Sequence, residues 1–387
     1  MPPLNFVWFS TTDWDAPQFG SRQQIARQLA GRYHRLLFVE VPRAPHSFLS
    51  DPAGTRRAVR RLGQLRLVAT NVQAYTPWPV LPNYYHPSTN AINQRLLHLD
   101  LRRLVRRLGW SVDVFWTYWP NSAYLVGRLG ERVAVYHCLD DFTTIRYPFV
   151  ATGAIARMER ELCQRVDLVI TRTEALGQAR RPHNLQTHIL PGGVDAAFFD
   201  PARVSAAAAD VAALPQPRAG FVGTIDDRVD MPMLAACARA LPDIAFVLVG
   251  PVKRHLVKLN LLYGLTNIYW LPARPHTDVP AVIAGFDVGL IPYRQTPYAQ
   301  ALSPIKLYEY MAMGKPVVAT DLPYLRREAV HVHLARTTDE FVAAIRAVLT
   351  RPATRDEQAQ WRAVAWENSW DRQAEAIEGW LAGVGQR

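Results

Sequence analysis

Short apolar runs rich in β-branched and aromatic residues alternate with helical stretches along the chain, and this alternation restricts the fold more than any other feature. In the first half the runs include LNFVWFS at 4–10, RLLFVEV at 35–41 and RVAVYHC at 132–138. In the second half they include RAGFVGT at 218–224 and FDVGLIP at 286–292. Buried strands that alternate with helices are typical of parallel sheets with helices on both faces. We therefore predict an α/β chain.

The two α/β halves are separated by a poorly patterned, alanine-rich stretch. Because 387 residues exceed the usual size of one domain, we predict two Rossmann-like domains, one over 1–193 and a second over 218–368. A linker over 194–217 joins them, and a helix over 369–387 ends the chain. Ligands bind such sheets at the carboxyl ends of the strands, so a cleft between the domains is the expected site.

Several protein classes are excluded by features that the sequence lacks. Three widely spaced cysteines, Cys138, Cys163 and Cys237, form neither a disulfide framework nor a cysteine zinc site. No apolar run reaches the roughly 18 residues of a membrane span, and no secretory signal pattern begins the chain. The sequence contains no G-x-G-x-x-G, hydrolase-elbow or H-E-x-x-H motif. We expect a reduced, cytoplasmic protein.

The net positive charge of the chain is confined to its first half. Residues 1–193 contain 24 Lys and Arg against 13 Asp and Glu, whereas residues 194–387 contain 20 of each. A bias of arginine over lysine does not explain this asymmetry, which indicates an anionic partner for the first half. Arginines cluster in two places: Arg56, Arg57, Arg60 and Arg61, and Arg102, Arg103, Arg106 and Arg107.

The second arginine cluster lies on a predicted amphipathic helix, which suits an anionic membrane surface. A solvated surface helix is the alternative. Nucleic acid is a rival anion, but the nearby aromatic residues Trp78, Tyr84 and Tyr85 match no RNA-binding motif, so we expect no nucleic acid partner. We therefore predict peripheral association with the inner face of the cytoplasmic membrane.

The segment 286–323 is predicted as strand, loop, helix, turn and strand. Ser303 is suited to cap the helix and Pro304 to its first position, which would direct free N–H groups towards an anion. Lys306 in the first turn is disfavoured by the helix dipole, so we expect an anionic partner for it. Glu309 could accept two hydrogen bonds from a diol such as a ribose. The alternative is an i,i+3 salt bridge between Lys306 and Glu309 on an exposed helix.

The strings SPIKLYEYMA at 303–312 and GKPVVA at 314–319 resemble the donor-site signature of GT-B glycosyltransferases of family 4 and its relatives, the glycosyl transferases group 1. The resemblance implies that Glu309 binds the ribose of a nucleotide sugar, that Lys306 binds its diphosphate, and that Ser303, Pro304 and Ile305 line the donor site. The family pattern has a donor-sugar glutamate eight residues before Glu309. Here that position is Ala301, so the donor sugar stays unspecified.

Other segments resemble the same family. GFVGTIDDR at 220–228 is similar to the strand and glycine turn that open the nucleotide domain, which implies donor contacts from Gly223 and Thr224. The family's usual arginine is Thr224 here, and Arg228 is predicted to supply the phosphate charge instead. The tail NSWDRQAEAIEGW at 368–380 is similar to the helix that returns to the first domain. The resemblance implies a nucleotide sugar as co-substrate, with no metal or other cofactor.

The segment YHCLDDFTTI at 136–145 resembles a stretch of the membrane-associated glucuronosyltransferases of exopolysaccharide synthesis. That resemblance implies that Asp140 is the general base of an inverting transfer. In a retaining enzyme Asp140 would only orient the substrate. Asp140 or Asp141 could instead cap the following turn, and His137 is either an acceptor-side residue or a packed core residue.

The first loop carries two further candidates. Trp14-Asp15, followed by QQIA at 23–26, resembles the first loop and helix of a bacterial envelope-polysaccharide subgroup, which implies that Asp15 lies on the acceptor side. Gly20 directly precedes a helix predicted over Ser21–Gly31 and is a candidate for phosphate or acceptor contact. Asp13-Trp14-Asp15 matches a D-x-D metal motif, but that motif belongs elsewhere in a different fold, so we expect no metal.

The sequence thus predicts a glycosyltransferase of envelope or exopolysaccharide synthesis. It would move a sugar from a nucleotide-diphosphate sugar to a glycan or a lipid-pyrophosphate-linked acceptor. Two alternatives stay open at this point. One is a nucleotide-sugar 2-epimerase of the same fold, which the basic first half disfavours. The other is a catalytically degenerate protein that binds glycan or lipid, which is consistent with the alanine at position 301.

Overall fold

Two units of similar size make up the computed structural model, which describes residues 2–16, 19–44, 52–144, 150, 151, 153–254, 256–300 and 302–384. Unit 1 contains the chain up to Pro191 together with the C-terminal segment from Gln373 onward. Unit 2 contains Gly192–Arg372. Each unit is built around one sheet whose strands are mainly parallel.

The described residues of unit 1 form an eight-stranded sheet in the order β3-β4-β2-β1-β5-β6-β7-β8. Its central strand β1 buries Phe6, Val7, Trp8 and Phe9, as expected for a strand that helices cover on both faces. The strands are β1 Asn5–Phe9, β2 Arg35–Val39, β3 Leu65–Ala69, β4 Val72–Tyr75, β5 Val114–Thr117, β6 Val133–Cys138, β7 Leu168–Thr171 and β8 Thr187–Ile189.

The helices of unit 1 connect these strands. The helix predicted to begin at Ser21 is α1, and the basic amphipathic helix is α3, which begins at Pro87 because a missing N–H costs nothing in the first turn. The helices are α1 Ser21–Gly31, α2 Pro52–Arg60, α3 Pro87–Leu108, α4 Ala154–Arg165 and α5 Glu174–Arg180.

One edge of the unit 1 sheet differs from the fully parallel arrangement that the sequence predicted. Strand β3 pairs antiparallel with β4, and β4 itself was not predicted. The two strands are joined by Asn71 at φ 60°, a reversal too short for a crossover helix. Strand β8 was also missed because it is only three residues long.

The described residues of unit 2 form a six-stranded, fully parallel sheet in the order β11-β10-β9-β12-β13-β14. The strands predicted at 218–224, at 286–292 and at the end of the segment 286–323 are present, and the short β14 was not predicted. The strands are β9 Arg218–Val222, β10 Ala245–Val249, β11 Ile268–Leu271, β12 Val288–Ile291, β13 Val317–Thr320 and β14 His333–Ala335.

Helices cover both faces of this sheet, and several begin at a side-chain cap. Asp230 accepts the N–H of Met233 at 2.9 Å at the start of α7, and Thr354 and Glu357 form a capping box at the start of α12. The helices are α6 Ala209–Ala212, α7 Met231–Ala240, α8 Val279–Ala284, α9 Pro297–Gln300, α10 Lys306–Ala312, α11 Thr338–Thr350 and α12 Arg355–Glu367.

The stretch predicted as a linker is attached to unit 2. The guanidinium of Arg218, at the start of β9, donates to the carbonyl oxygens of Ala212 at 2.7 Å and Leu214 at 2.6 Å. Arg218 is buried, so these bonds satisfy donors that would otherwise be costly to desolvate. Residues 209–214 therefore cover the amino end of β9 rather than crossing open solvent.

The last helix, α13 Trp370–Val384, carries the chain from unit 2 back to unit 1, as the family resemblance predicted. Within unit 1, Glu378 pairs with Arg32 at 3.0 Å and with His34 at 3.0 Å. Gln373 donates to the carbonyl oxygen of Pro191 at 2.8 Å. These contacts attach the end of the chain to α1 and β2.

Candidate functional site

In unit 2 the predicted donor residues lie where β9, β12 and β13 end, on α10 and the loop before it. Lys306 and Glu309 both project from α10, and their Nζ and Oε2 atoms form an ion pair at 2.9 Å. The pair is not on an exposed face, because the Lys306 side chain is 19% exposed and that of Glu309 is 5% exposed. The anionic partner expected for Lys306 is therefore Glu309.

The predicted start of α10 is wrong by two residues. The helix begins at Lys306 with Ile305 as its cap residue, and Ser303 does not cap it. Instead, the Ser303 hydroxyl oxygen accepts the N–H of Gly192 at 3.0 Å. Pro304 and Ile305 form a separate turn, in which Leu307 N–H bonds to the carbonyl oxygen of Pro304 at 3.2 Å. A partner distant in sequence thus replaces the local cap.

The glycine turn after β9 lies against Lys306. Gly223 has φ +156°, and a Cβ built on it would lie 3.3 Å from Cε of Lys306. Gly250, after β10, has φ +143° and lies so close to the carbonyl of Gly223 that no Cβ fits there. Both positions favour glycine because of their positive φ, and at Gly250 a Cβ would also collide with the backbone of Gly223. Thr224 follows Gly223 and is half-buried.

Arg228 is held in place by a buried carboxylate. Its Nε and Nη2 atoms donate to the two oxygens of Asp226 at 2.8 and 2.7 Å, a bidentate pair. The guanidinium lies 5.9 Å from the ring centroid of Tyr293. Nothing in the sequence indicated that Asp226 orients Arg228.

A buried tyrosine, Tyr293, connects the charged groups of this region. Burial raises the pKa of Tyr293, and the charges of Arg228, Lys306, Asp226 and Glu309 all act on it. Two cations and two anions therefore surround one buried ring after β12. Nothing in the sequence distinguished Tyr293 from other tyrosines of the chain.

Two further tyrosines position the loop before α10. The hydroxyls of Tyr308 and Tyr324 lie 2.8 Å apart, and both side chains are buried. Burial, the largest cause, raises the pKa of Tyr324 despite hydrogen bonds to Ser303 and Tyr308. The chain of contacts from Tyr308 to Ser303 fixes the loop that carries Pro304 and Ile305. Ala301 lies outside the described residues.

In unit 1 the two predicted aspartates follow β6. Asp140 is half-buried, and among the described residues no hydrogen bond to its carboxylate is found. Asp141 behaves as the capping alternative predicted: its Oδ1 accepts the N–H and the hydroxyl of Thr143 at 3.1 and 2.6 Å. Asp141 also lies 3.6 Å from Nη2 of Arg180. The two neighbouring aspartates therefore have different roles.

A buried ionic cluster supports this loop, and the sequence did not indicate it. Arg180 donates to both oxygens of Glu159 at 2.9 Å, and Tyr136 donates to Glu159 at 2.7 Å. Burial raises the pKa of the Cys138 thiol well above its usual value, and the charge of Glu159 adds to this effect. The cluster ties α4 and α5 to the end of β6.

His137 is a buried residue with no partner for either ring nitrogen among the described residues. Burial, assisted by the positive charges of Arg172 and Arg22, holds the pKa of His137 well below its ordinary value. Its ring packs 5.0 Å from that of Tyr118 and 5.5 Å from that of Trp116. The imidazole is therefore neutral and enclosed by aromatic side chains.

The carboxylate of Asp15 forms ion pairs with two arginines of unit 1. It pairs with Arg61 at 2.5 Å and with Arg66 at 2.9 Å. Burial raises the pKa of Asp15, but the hydrogen bonds from the two arginines outweigh this and leave it below the usual value. Gly20 precedes α1 and donates its N–H to Oε1 of Gln23 at 3.2 Å.

The described residues contain neither a cluster of metal-ligating side chains nor a helix that could cross a membrane. No group of three or more His, Cys, Asp or Glu side chains is arranged to hold a metal ion. Asp13, the other carboxylate of the D-x-D string, pairs with Arg43 at 2.5 Å. No described helix is long and apolar enough to cross a membrane.

Part of the second half of the chain is similar to a known family. Residues 216–351 match the family model described as glycosyl transferases group 1. The chain is also 32% identical over 157 residues to the putative teichuronic acid biosynthesis glycosyltransferase TuaH of Bacillus subtilis (strain 168). That match covers 39% of this chain and 40% of TuaH, so it spans less than half of the curated relative.

Comparison with solved structures covers nearly the whole chain. The sucrose-phosphate synthase of Thermosynechococcus elongatus superposes with a TM-score of 0.72 at 16% identity, over 98% of this chain and 99% of that one. Anabaena Alr3699/HepE in complex with UDP-glucose superposes with a TM-score of 0.67 at 16% identity, over 98% and 100%. At these identities the likeness shows the fold. The chain has the GT-B fold, and its residues 216–351 are similar to the glycosyl transferases group 1.

Proposed function

We propose that this protein is a glycosyltransferase that moves a sugar from a nucleoside-diphosphate sugar to an acceptor in the synthesis of a bacterial envelope polysaccharide. The observation that carries the proposal is the buried Lys306–Glu309 pair, set against the glycine turn at Gly223, within the segment that matches the family. The match to TuaH, a putative glycosyltransferase of teichuronic acid biosynthesis, supports the polysaccharide class. The structural neighbour with bound UDP-glucose supports a nucleotide sugar as donor.

The two charged groups of α10, Glu309 and Lys306, bind different parts of the donor. The carboxylate of Glu309 has two acceptor oxygens and suits the two hydroxyls of a ribose. The ammonium of Lys306 suits the diphosphate, whose negative charge grows as the bond to the sugar breaks. In the unliganded protein each group satisfies the other at 2.9 Å. Donor binding therefore exchanges one buried ion pair for two contacts with the ligand.

Arg228 supplies the second positive charge near Lys306. Because Asp226 holds it in a bidentate pair, the guanidinium has a fixed orientation and only a reduced net charge. It orients a phosphate more than it neutralises one. Charge stabilisation by Lys306 and Arg228 is the part that a divalent metal supplies in other transferases, and we expect turnover to persist in excess EDTA.

Asp140 is the residue we assign to the acceptor. Its carboxylate is half-buried at the carboxyl end of β6, while the neighbouring Asp141 is engaged by Thr143 and Arg180. As a general base it would take the proton of the acceptor hydroxyl while that oxygen bonds to the anomeric carbon and the nucleoside diphosphate departs. General-base assistance contributes about 10²–10⁴ in rate.

A thermal-shift screen against UDP, GDP, CDP, dTDP and ADP tests the donor site. A nucleotide at about 100 times its Kd stabilises the protein by about 2.7 kcal/mol. We expect one nucleotide to raise the Tm and Glu309→Ala to abolish that shift. Glu340→Ala, an exposed glutamate of the same unit, is the matched control and should keep it. No shift with any of the five nucleotides would refute the donor assignment.

The catalytic assignment needs a separate measurement. Cleavage of the matching nucleotide sugar is measured for the wild type, Asp140→Asn and Asp141→Asn, with and without a membrane extract as a source of acceptor. The cleavage that requires the extract reports transfer to the acceptor. We expect Asp140→Asn to abolish transfer and leave the nucleotide-induced Tm shift unchanged. Transfer at the wild-type rate in Asp140→Asn would remove this residue from the mechanism.

We propose that unit 1 also binds an anionic membrane surface through α3. Ile92, Leu96 and Leu99 project from one side of this helix and are 45–51% exposed. These three side chains are spaced i, i+4 and i+7, so they form one apolar stripe. The four exposed arginines of its last two turns add about 1 kcal/mol each near an anionic bilayer: Arg102, Arg103, Arg106 and Arg107.

Sedimentation with lipid vesicles tests the membrane proposal. We expect the protein to sediment with phosphatidylglycerol vesicles and not with phosphatidylcholine vesicles, and Leu96→Ser with Leu99→Ser to weaken the binding. Leu185→Ser is the matched control, since Leu185 is 89% exposed in the same unit. Equal sedimentation of wild type and the double variant would show that α3 is a solvated surface helix.

A further inference from the structure

A group of polar side chains that the proposed function does not use lies at the carboxyl end of the unit 1 sheet. Arg172 directly follows β7, and its backbone N–H donates to the carbonyl oxygen of Cys138 at 3.2 Å, at the end of the neighbouring strand β6. Its Nη2 donates to the hydroxyl of Ser21 at 2.7 Å, at the start of α1. Arg172 therefore joins the end of β6, through its backbone, to the start of α1, through its guanidinium, beside the segment that leads to Asp140.

Among the described residues Arg172 has no carboxylate partner, unlike Arg43 and Arg66 of the same unit. Arg43 pairs with Asp13 at 2.5 Å, and Arg66 pairs with Glu40 at 2.8 Å. Over the described residues, no carboxylate oxygen lies within 4.0 Å of the Arg172 guanidinium. A guanidinium that is partly removed from water without an anionic partner is costly to maintain, so its position favours an anion from outside the protein.

A second arginine lies on the same side of the sheet. The guanidinium of Arg22 lies 5.3 Å from the ring centroid of Tyr118, and that ring lies 5.0 Å from the imidazole of His137. The positive charges of both Arg22 and Arg172 act on His137. The two guanidinium groups therefore lie around one buried imidazole.

Four buried side chains of this cluster have polar atoms with no hydrogen-bond partner among the described residues: Trp8, Trp116, Tyr118 and His137. His137 is 1% exposed and neither of its ring nitrogens has a hydrogen-bond partner, and the indole N–H of Trp8, which is fully buried, has none either. A buried polar group without a hydrogen-bond partner destabilises the fold, because its contact with water is lost and not replaced. Trp8 is the register partner of Trp116 in the sheet, and the rings of Trp116 and His137 lie 5.5 Å apart. Trp8 and His137 therefore belong to one aromatic layer.

We infer that Arg172 and Arg22, backed by His137, form a phosphate-binding subsite on unit 1 for the acceptor. Both arginines and the indole are hydrogen-bond donors without acceptor capacity, and a neutral imidazole adds one more donor. Such a set matches an oxyanion with several acceptor oxygens, and a phosphate in particular. The inference rests on the proposed function, to which it adds the class of acceptor: a phosphate or pyrophosphate ester.

Calorimetric titration with inorganic pyrophosphate tests this subsite without activity as a readout. We expect wild type to bind, and Arg172→Gln and Arg22→Gln each to raise the Kd about tenfold or more, because each removes a charged donor pair. Arg172→Lys keeps the charge without the fork and should fall between them. Arg132→Gln is the matched control, since Arg132 is 69% exposed in the same unit.

A Lys306→Met variant separates this subsite from the donor site. Pyrophosphate binding that survives Lys306→Met and is lost in Arg172→Gln supports the inference. Binding that is lost in Lys306→Met and kept in Arg172→Gln would place the anion at the donor site and overturn the inference, while the proposed function stands. If no nucleotide binds but pyrophosphate binding still depends on Arg172, the proposed donor site fails and the anion subsite stands.

Competition and nuclear magnetic resonance complete the test. The titration is repeated with saturating nucleoside diphosphate, and Arg172-dependent binding that persists supports an acceptor phosphate, whereas its loss would show that the donor diphosphate occupies the subsite. The ¹⁵N signals of His137, assigned with His137→Gln, should move on addition of pyrophosphate. Unchanged His137 signals at saturation, or equal losses of affinity in Arg172→Gln and Arg132→Gln, would refute the inference.

Discussion

The Lys306–Glu309 pair gives the most discriminating prediction, because its two members should act on different parts of one ligand. We compare binding of a nucleoside and of its diphosphate to wild type, Glu309→Gln and Lys306→Met. Glutamine keeps the shape of a side chain that is 5% exposed, so packing is preserved while the charge is removed. The base is the one that the nucleotide screen identifies.

Glu309→Gln should weaken both ligands by a similar factor. Hydrogen bonds to a charged group contribute about 1.5–3 kcal/mol. A loss of about 2 kcal/mol corresponds to roughly a 30-fold increase in Kd. The nucleoside shows the full effect because the ribose contacts are all that Glu309 contributes.

Lys306→Met should act on the diphosphate alone. In the unliganded protein Nζ of Lys306 pairs with Oε2 of Glu309 at 2.9 Å. Removal of the ammonium group therefore leaves the Glu309 carboxylate available to the ribose. Nucleoside affinity should hold or increase, whereas the additional affinity of the diphosphate over the nucleoside should fall by about 2 kcal/mol, or about 30-fold.

Isothermal titration measures all six Kd values, with Arg326→Met as the matched control in unit 2. Arg326 is 60% exposed and pairs with Asp321, so its loss should leave both ligands unaffected. Equal loss of nucleoside affinity in Glu309→Gln and Lys306→Met would refute the reasoning, since the pair would then act only as a structural unit of α10.

Three other perturbations have definite expected outcomes. Glu159→Gln breaks the buried pair with Arg180 and should lower the free energy of unfolding in urea by about 3 kcal/mol, whereas Glu161→Gln, 53% exposed, should cost less than about 1 kcal/mol; equal losses would contradict the buried-pair argument. Gly250→Ala should lower the Tm and abolish nucleotide binding because its Cβ meets the carbonyl of Gly223, whereas Gly379→Ala meets nothing within 4 Å and should raise stability slightly; a stable Gly250→Ala that binds nucleotide would disprove the close approach. The pKa of His137 is below 6.5 in the folded state, so the unfolded state binds more protons and unfolding free energy falls by up to about 1.4 kcal/mol per pH unit below pH 6.5; denaturation at several pH values should show a smaller slope in His137→Gln, and an unchanged slope would exclude this group.

Sequence patterning alone was enough to predict the architecture, because buried parallel strands are local, continuous apolar runs. The predicted helix at Ser21–Gly31 and the strand that begins at Arg218 are both present. The elements that were missed, β4, β8 and β14, are three or four residues long and derive their pairing from neighbouring strands. A run of that length contains too few residues for a periodicity to be recognised.

The candidate site divides in the same way. Lys306 and Glu309 are three residues apart on one helix, so their spacing in the sequence already placed them side by side. The bond from Gly192 to Ser303 joins residues 111 positions apart, and it moved the start of α10 away from the predicted cap. A local cap signal is weak when a distant backbone donor competes for the same hydroxyl.

The sequence by itself determined the fold class, the similarity of residues 216–351 to the glycosyl transferases group 1 and the charged residues of α10, since each depends on residues that are neighbours along the chain. The tertiary structure alone decided which aspartate after β6 is engaged. Asp141 is bound by Thr143 and lies near Arg180 from α5, whereas Asp140 is not. It also decided that Arg172 lies beside the buried His137, because parallel crossovers bring the carboxyl ends of strands distant in sequence to one edge of a sheet.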